Sequence, residues 1–139
     1  MKNIGFIIVV LIMICLCSCF STNRVIFPSG CYLQKHNQLK IVLYDKSGGY
    51  IIGPLVQAVM WTDKTVYGGY EDNAGIFGYF LYQANVNKLK IFRNSEDFDE
   101  SLKQLNLPNI SVKKERVFDR IVINDDGIAI DPQPEIGAK

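Results

Sequence analysis

The chain has 139 residues, with 15 basic and 14 acidic side chains and a formal net charge of +1. That length suits one domain, and a hydrophobic fraction of 48% supplies a core and excludes a disordered chain. A charge balance this even removes the general attraction to nucleic acid that a basic protein would have.

The chain opens on Lys2 followed by an uncharged apolar run from Ile4 to Leu16. A positive start and an apolar core of about 7–15 residues mark a secretory signal. Ser18, Ser21, Thr22, Asn23 and Arg24 close the run before the ~20 apolar residues that a spanning helix needs. No polar face interrupts residues 7–14, so a core helix of a soluble domain is the poorer reading.

Cys15, Cys17 and Cys19 end the apolar run. Leu16-Cys17-Ser18-Cys19 resembles the bacterial lipobox, in which a leucine stands three residues before a cysteine and a small residue directly precedes it. Ile14 before Cys15 and Leu16 before Cys17 are too bulky for that last position. The resemblance implies lipid on the Cys19 thiol, cleavage between Ser18 and Cys19, and an acylated, palmitate-bearing amino terminus. Several acyl chains hold a protein on a bilayer stably, so the membrane is the first expected partner. Phe20 stands where many inner-membrane lipoproteins carry aspartate. By the same resemblance, a cell with two membranes would send the chain to the periplasmic face of its outer membrane. With one membrane it would stay on that membrane's outer face.

The cysteines also admit other readings. A metal site on Cys15, Cys17 and Cys19 lacks a supporting fold. A Cys19–Cys31 disulfide suits an oxidising compartment, but acylation of Cys19 would forbid it. Cys31 is then expected to be a buried, unpaired thiol.

Removing residues 1–18 leaves 121 of the 139 residues and takes the basic count from 15 to 14, level with the acids. Residues 19–29 read as a short tether. Ten extended residues span at most about 36 Å, and residues 25–27 could shorten the reach by adding a strand. Residues 30–123 read as one β-rich domain, and residues 124–139 as a loose tail.

Within the domain, residues 32–34 and 39–44 read as strands, the second with Leu39, Ile41 and Leu43 on one face. Residues 45–49 form a hairpin loop. Residues 50–52 return, and Gly53-Pro54 breaks them. Residues 55–61 follow as a strand, favoured over a helix by β-branched content and flanking breakers. Residues 65–67 are a strand ended by Gly68-Gly69, and residues 71–75 a polar loop. Residues 76–83 are the most β-prone run, apolar on both faces as in a covered central strand. Residues 88–93 complete a meander of short strands and tight turns.

The period changes at Asn94. Asn94 or Ser95 caps a helix, Glu96, Asp97, Asp99 and Glu100 suit its positive end, and Phe98, Leu102 and Leu105 form one apolar stripe. Residues 110–112 and 116–123 read as further strands. Residues 124–127 form a turn without the ligand pattern of a calcium loop. The expected fold is mainly β on an α+β plan: a small antiparallel meander or sandwich-like sheet with one short helix near residues 95–106.

Chemistry is sparse. His36 is the sole histidine and lies in an expected turn, so a triad would rest on it alone. No nucleophile elbow, phosphate loop or dinucleotide fingerprint occurs, and no metal or cofactor is expected. Trp61, Tyr67, Tyr70, Tyr79 and Tyr82 crowd the meander. They are the candidate binding aromatics, because rigid Tyr and Trp bind proteins or sugars at small entropic cost. Core packing competes for most of them. The expected role is a non-enzymatic envelope module that binds a protein, with immunity, inhibition and assembly as subclasses. The alternatives are a small envelope hydrolase using Asp/Glu and Tyr residues, which needs carboxylates among Asp45, Asp63, Glu71 and Asp72 to converge in a cleft, and a carbohydrate-binding module.

Overall fold

The computed structural model describes residues 23–109 and Ala129. The strands are β1 (Arg24–Ile26), β2 (Tyr32–Asn37), β3 (Lys40–Tyr44), β4 (Tyr50–Ile52), β5 (Leu55–Trp61), β6 (Thr65–Glu71), β7 (Phe77–Gln83) and β8 (Lys88–Phe92). One helix follows, α1 (Ser95–Gln104). The expected mainly β fold is what the structure shows, an eight-stranded sheet with a single short helix among the described residues. The strand readings at 110–112 and 116–123 lie outside the described residues.

The sheet order is β1-β2-β3-β5-β6-β7-β8, and β4 pairs with β3. All pairings are antiparallel except β3 with β5, which meet in parallel at Ile41 and Leu55. The Gly53-Pro54 break explains this departure from a pure meander. It ends β4 beside β3 and reverses the chain, so that the Pro54 carbonyl accepts from Ile41 N at 2.8 Å and β5 starts beside β3.

A flat sheet would hold β1 and β7, five spacings apart in this order, about 24 Å from each other. Here the β1–β2 turn faces the β7–β8 turn across a shared cleft, with Ser29 and Cys31 on one wall and Asn85 and Asn87 on the other. The Phe27 ring also lies 5.1 Å from that of Trp61 at the end of β5. The sheet is therefore rolled over its own concave face. Val25, Leu33, Leu43, Val59, Val66 and Phe80 fill that face, at 4% exposure or less. Cys31 lies in the same core as an unpaired, buried thiol, and burial pushes that thiol up from its ordinary range.

The convex side of β6 and β7 is apolar as well, and α1 covers it. Asn94 caps the helix by accepting from Asp97 N at 2.8 Å. Phe98 and Leu102 pack on Met60, Tyr67 and Leu81, while Leu105 ends the expected stripe 40% exposed. β7 is thus covered on both faces, as its two-sided apolar character predicts. The Tyr67 hydroxyl, buried under the helix, donates to the Pro108 carbonyl at 3.0 Å, and burial pushes it up to about 12.

Three boundaries differ from expectation. β1 lies inside the expected tether and pairs with β2, and Phe27 after it is buried, as the alternative strand reading had it. β6 runs through Gly68-Gly69 to Glu71; the glycines admit a close backbone neighbour instead of breaking the strand. Ala129, in the expected loose tail, is buried, and its N donates to the Ile26 carbonyl at 2.6 Å.

Candidate functional site

The five aromatics singled out by sequence are mostly structural. Trp61, Tyr70 and Tyr82 are 4% exposed in the main core, and Tyr67 is fully buried under the helix. Tyr79 is half-buried, its ring stacked 4.9 Å from that of Phe98. The reason is position: β5, β6 and β7 form the middle of the rolled sheet, where both faces are covered. Only Tyr82 offers a polar group to a cleft, and its hydroxyl donates to Asn87 Oδ1 at 2.8 Å.

The aromatic surface lies instead on the convex face of β1 to β4. In β2, Leu33 turns inward, so Tyr32, Gln34 and His36 turn outward by alternation. The register pairs Tyr32 with Tyr44 across β2 and β3, and Tyr44 with Tyr50 across β3 and β4. Tyr32 and Tyr44 stack with centroids 5.3 Å apart and planes 20° from parallel. Tyr50 meets Tyr44 nearly at right angles, at 6.5 Å. The Arg24 guanidinium lies 4.3 Å from the Tyr32 ring centroid, while Arg24 Nε donates to Gln34 Oε1 at 3.1 Å. His36 Nε2 is 3.1 Å from the Tyr44 hydroxyl. The result is a continuous row from Arg24 through Tyr32 and Tyr44 to Tyr50, with Tyr50 62% exposed at its end. Burial raises the Tyr50 hydroxyl above its ordinary range.

β1 to β4 contain no Asp or Glu, so these strands place no acidic side chain on this face. His36 is exposed as expected but sits within β2, bonded to Tyr44 and not to a carboxylate. Among the described residues no group of His, Cys, Asp and Glu could hold a metal ion.

A second feature sits at the strand ends. The turns at residues 27–31, 45–49, 62–64 and 84–87 surround a half-open cleft of about 390 Å³, within the usual size of small-ligand pockets. Asp45 and Asp63 both line it, whereas Glu71 and Asp72 lie at the other end of β6. The four carboxylates therefore do not converge. Glu71 Oε2 accepts from Gln57 Nε2 at 3.1 Å, and Asp72 pairs with Arg93 at 3.2 Å.

Asp45 is occupied by its own turn, since Oδ1 accepts from Ser47 N, Ser47 Oγ and Gly49 N at 2.6–2.9 Å. The Ser47 hydroxyl and the Gly49 N–H hold its carboxyl below the usual range. Asp72 is lowered as well, first by the Ile76 N–H. Neither group is placed to hold a proton for acid catalysis. Both folded values fall below the ordinary 3.8. The stability they add is full above that value and is lost as pH falls through the lower folded values. Replacing both by Asn should flatten the part of the acid-unfolding curve below about pH 4, measured by circular dichroism; an unchanged curve would contradict the assignment.

Comparisons of this chain with protein-family models, with curated proteins and with solved structures return no match.

Proposed function

We propose that the chain is an exported lipoprotein, acylated at Cys19 and held on the cell envelope, whose body is a non-enzymatic module that binds another envelope protein through its tyrosine face. In a cell with two membranes the outer membrane is the expected site. The stacked row on β1 to β4 carries the reading. Tyr and Arg are the residues that concentrate binding energy at protein interfaces, because they bury large area at small entropic cost. This row is held rigid by its own contacts before any partner arrives.

The row also favours a protein over a sugar. Carbohydrate modules use open ring faces, but one face of Tyr32 is covered by Arg24 and the other by Tyr44. Tyr44 is likewise flanked by Tyr32 and Tyr50. Tyr32 and Tyr44 leave hydroxyls and ring edges for a partner, and together with the exposed Tyr50 ring these suit the mixed polar and apolar surface of a protein.

Tyr50→Ala is expected to weaken partner binding about 30-fold, the equivalent of a ~2 kcal/mol hot spot. Its effect on folding should be under about 1 kcal/mol, because the residue is largely exposed. The measurement is affinity capture of the lipidated protein from solubilised envelopes, with Lys88→Ala on β8 as the control surface. Equal capture by wild type, Tyr50→Ala and Lys88→Ala would refute the assignment.

A further inference from the structure

We propose that the tip of the β2–β3 hairpin, residues 36–40, seats on the anionic phospholipid surface of the membrane that holds the lipid anchor. This inference rests on the acylated-Cys19 reading above. It adds which end of the body faces the bilayer and which chemistry holds it there.

Strand direction defines the ends. Arg24 pairs with Gln34 and Asn37 with Lys40, so the start of β1 and the hairpin tip lie at one end of the sheet. The turns that surround the cleft lie at the other. Cys19 stands five residues before Arg24, a reach of about 18 Å when fully extended. The anchor thus holds the hairpin end close to the headgroups, and the strands place the cleft about 20 Å farther out.

The chemistry of the tip matches that position. Leu39 is 76% exposed, the highest value among the exposed large apolar residues. It is set in an ordered turn, since Asn37 Oδ1 accepts from Leu39 N at 2.8 Å. Lys35, His36 and Lys40 flank it, and Arg24 begins the adjacent strand. The first acidic residue of the whole chain is Asp45, at the far end of β3. An apolar tip with Lys40 beside it and basic residues on the strands behind it fits an anionic interface, with the leucine below the phosphates and the Lys40 ammonium level with them. Glu71 and Asp72 share the hairpin's end of the sheet, where Glu71 accepts from Gln57 and Asp72 pairs with Arg93, and Glu96, Asp97, Asp99 and Glu100 lie on α1, which packs against β7 and β8. The same surface charge that draws the hairpin down repels the β6–β7 turn and the helix side, and so fixes how the body is rolled about its tether.

The test uses the full lipidated protein in vesicles of phosphatidylcholine, with and without phosphatidylglycerol. A fluorophore is placed at Gln38→Cys or Ser47→Cys; acylated Cys19 and buried Cys31 do not compete for it. Quenching by headgroup-labelled lipid should be severalfold stronger at position 38 than at 47. It should need the anionic lipid, and adding Lys40→Glu should reduce it about fivefold or more. Equal quenching at both positions, or a difference that survives in phosphatidylcholine alone, overturns the inference. Palmitate labelling of wild type and Cys19→Ala runs in parallel. Label confined to wild type, together with equal quenching, removes the hairpin contact and leaves the anchor. Label absent from wild type removes both.

Discussion

Gly68→Ala is expected to destroy the fold. Gly68 sits in the middle of β6, paired with Val59 on β5 and Phe80 on β7. Its neighbour β5 shifts register between Val56 and Ala58, and this brings the Ala58 carbonyl over the glycine. A Cβ at position 68 would fall on that carbonyl and 3.0 Å from the Val59 Cα, and its nearest neighbours are backbone atoms of Ala58 and Val59, with no flexible side chain among them to yield. The central strands would have to separate, and a cost above about 4 kcal/mol is expected, against a total stability of about 5–15 kcal/mol for a domain. Gly78→Ala on β7 supplies the contrast. Its Cβ would lie 3.1 Å from the Phe92 carbonyl and from Tyr70, a crowding that small shifts relieve at about 1–3 kcal/mol. Soluble yield and urea midpoints of the two variants should therefore differ sharply. Equal midpoints would mean that the close approach at Gly68 is not what holds β5 against β6.

Gly68 and its neighbour Gly69 also mark the limit of what a single run of residues reveals. Gly68-Gly69 reads locally as a break because glycine is costly inside a strand, yet the bulge on β5 makes a residue without a side chain necessary there. That need is a property of the pairing between two strands, and a single run does not carry it. Alternation in β2, β3 and β7, the Gly53-Pro54 break and the Asn94 cap are local, and each could be read directly from the residues. The binding face is not local. Tyr32, Tyr44 and Tyr50 are spread over 19 residues of the chain, and only the register of two hairpins stacks them. Each strand's alternation placed its tyrosine opposite Leu33, Leu43 or Ile51; combining the three required knowing which residues are paired. Conversely, Trp61, Tyr67, Tyr70 and Tyr82 cluster in sequence, a pattern that a binding surface and a packed core share. They are the volume that fills a rolled sheet covered on both sides. Ala129 is legible only in three dimensions, since no local signal separates a residue beside the β1 edge from a loose tail.

Phe98→Ala is expected to release the helix while leaving the sheet. Phe98 is 1% exposed and touches three aromatic rings, stacked on Tyr79 at 4.9 Å and tilted against Phe92 at 5.5 Å and Tyr67 at 6.4 Å. Truncating a buried phenylalanine costs about 3–5 kcal/mol. Only Leu102 of the helix is buried beside it. A helix of ten residues is marginal in water without packing, so the remaining leucine cannot keep it docked. The main core on the concave side contains no helix residue, and it should keep β1 to β7 together. Hydrogen exchange read by NMR should therefore show amides of residues 95–104 losing protection, while those of β5, β6 and β7 remain slow. Phe98→Leu retains most of the buried volume and should keep the helix protected. Loss of protection across sheet and helix together in Phe98→Ala would show instead that the two cores unfold as one unit and that the helix is required for the roll of the sheet.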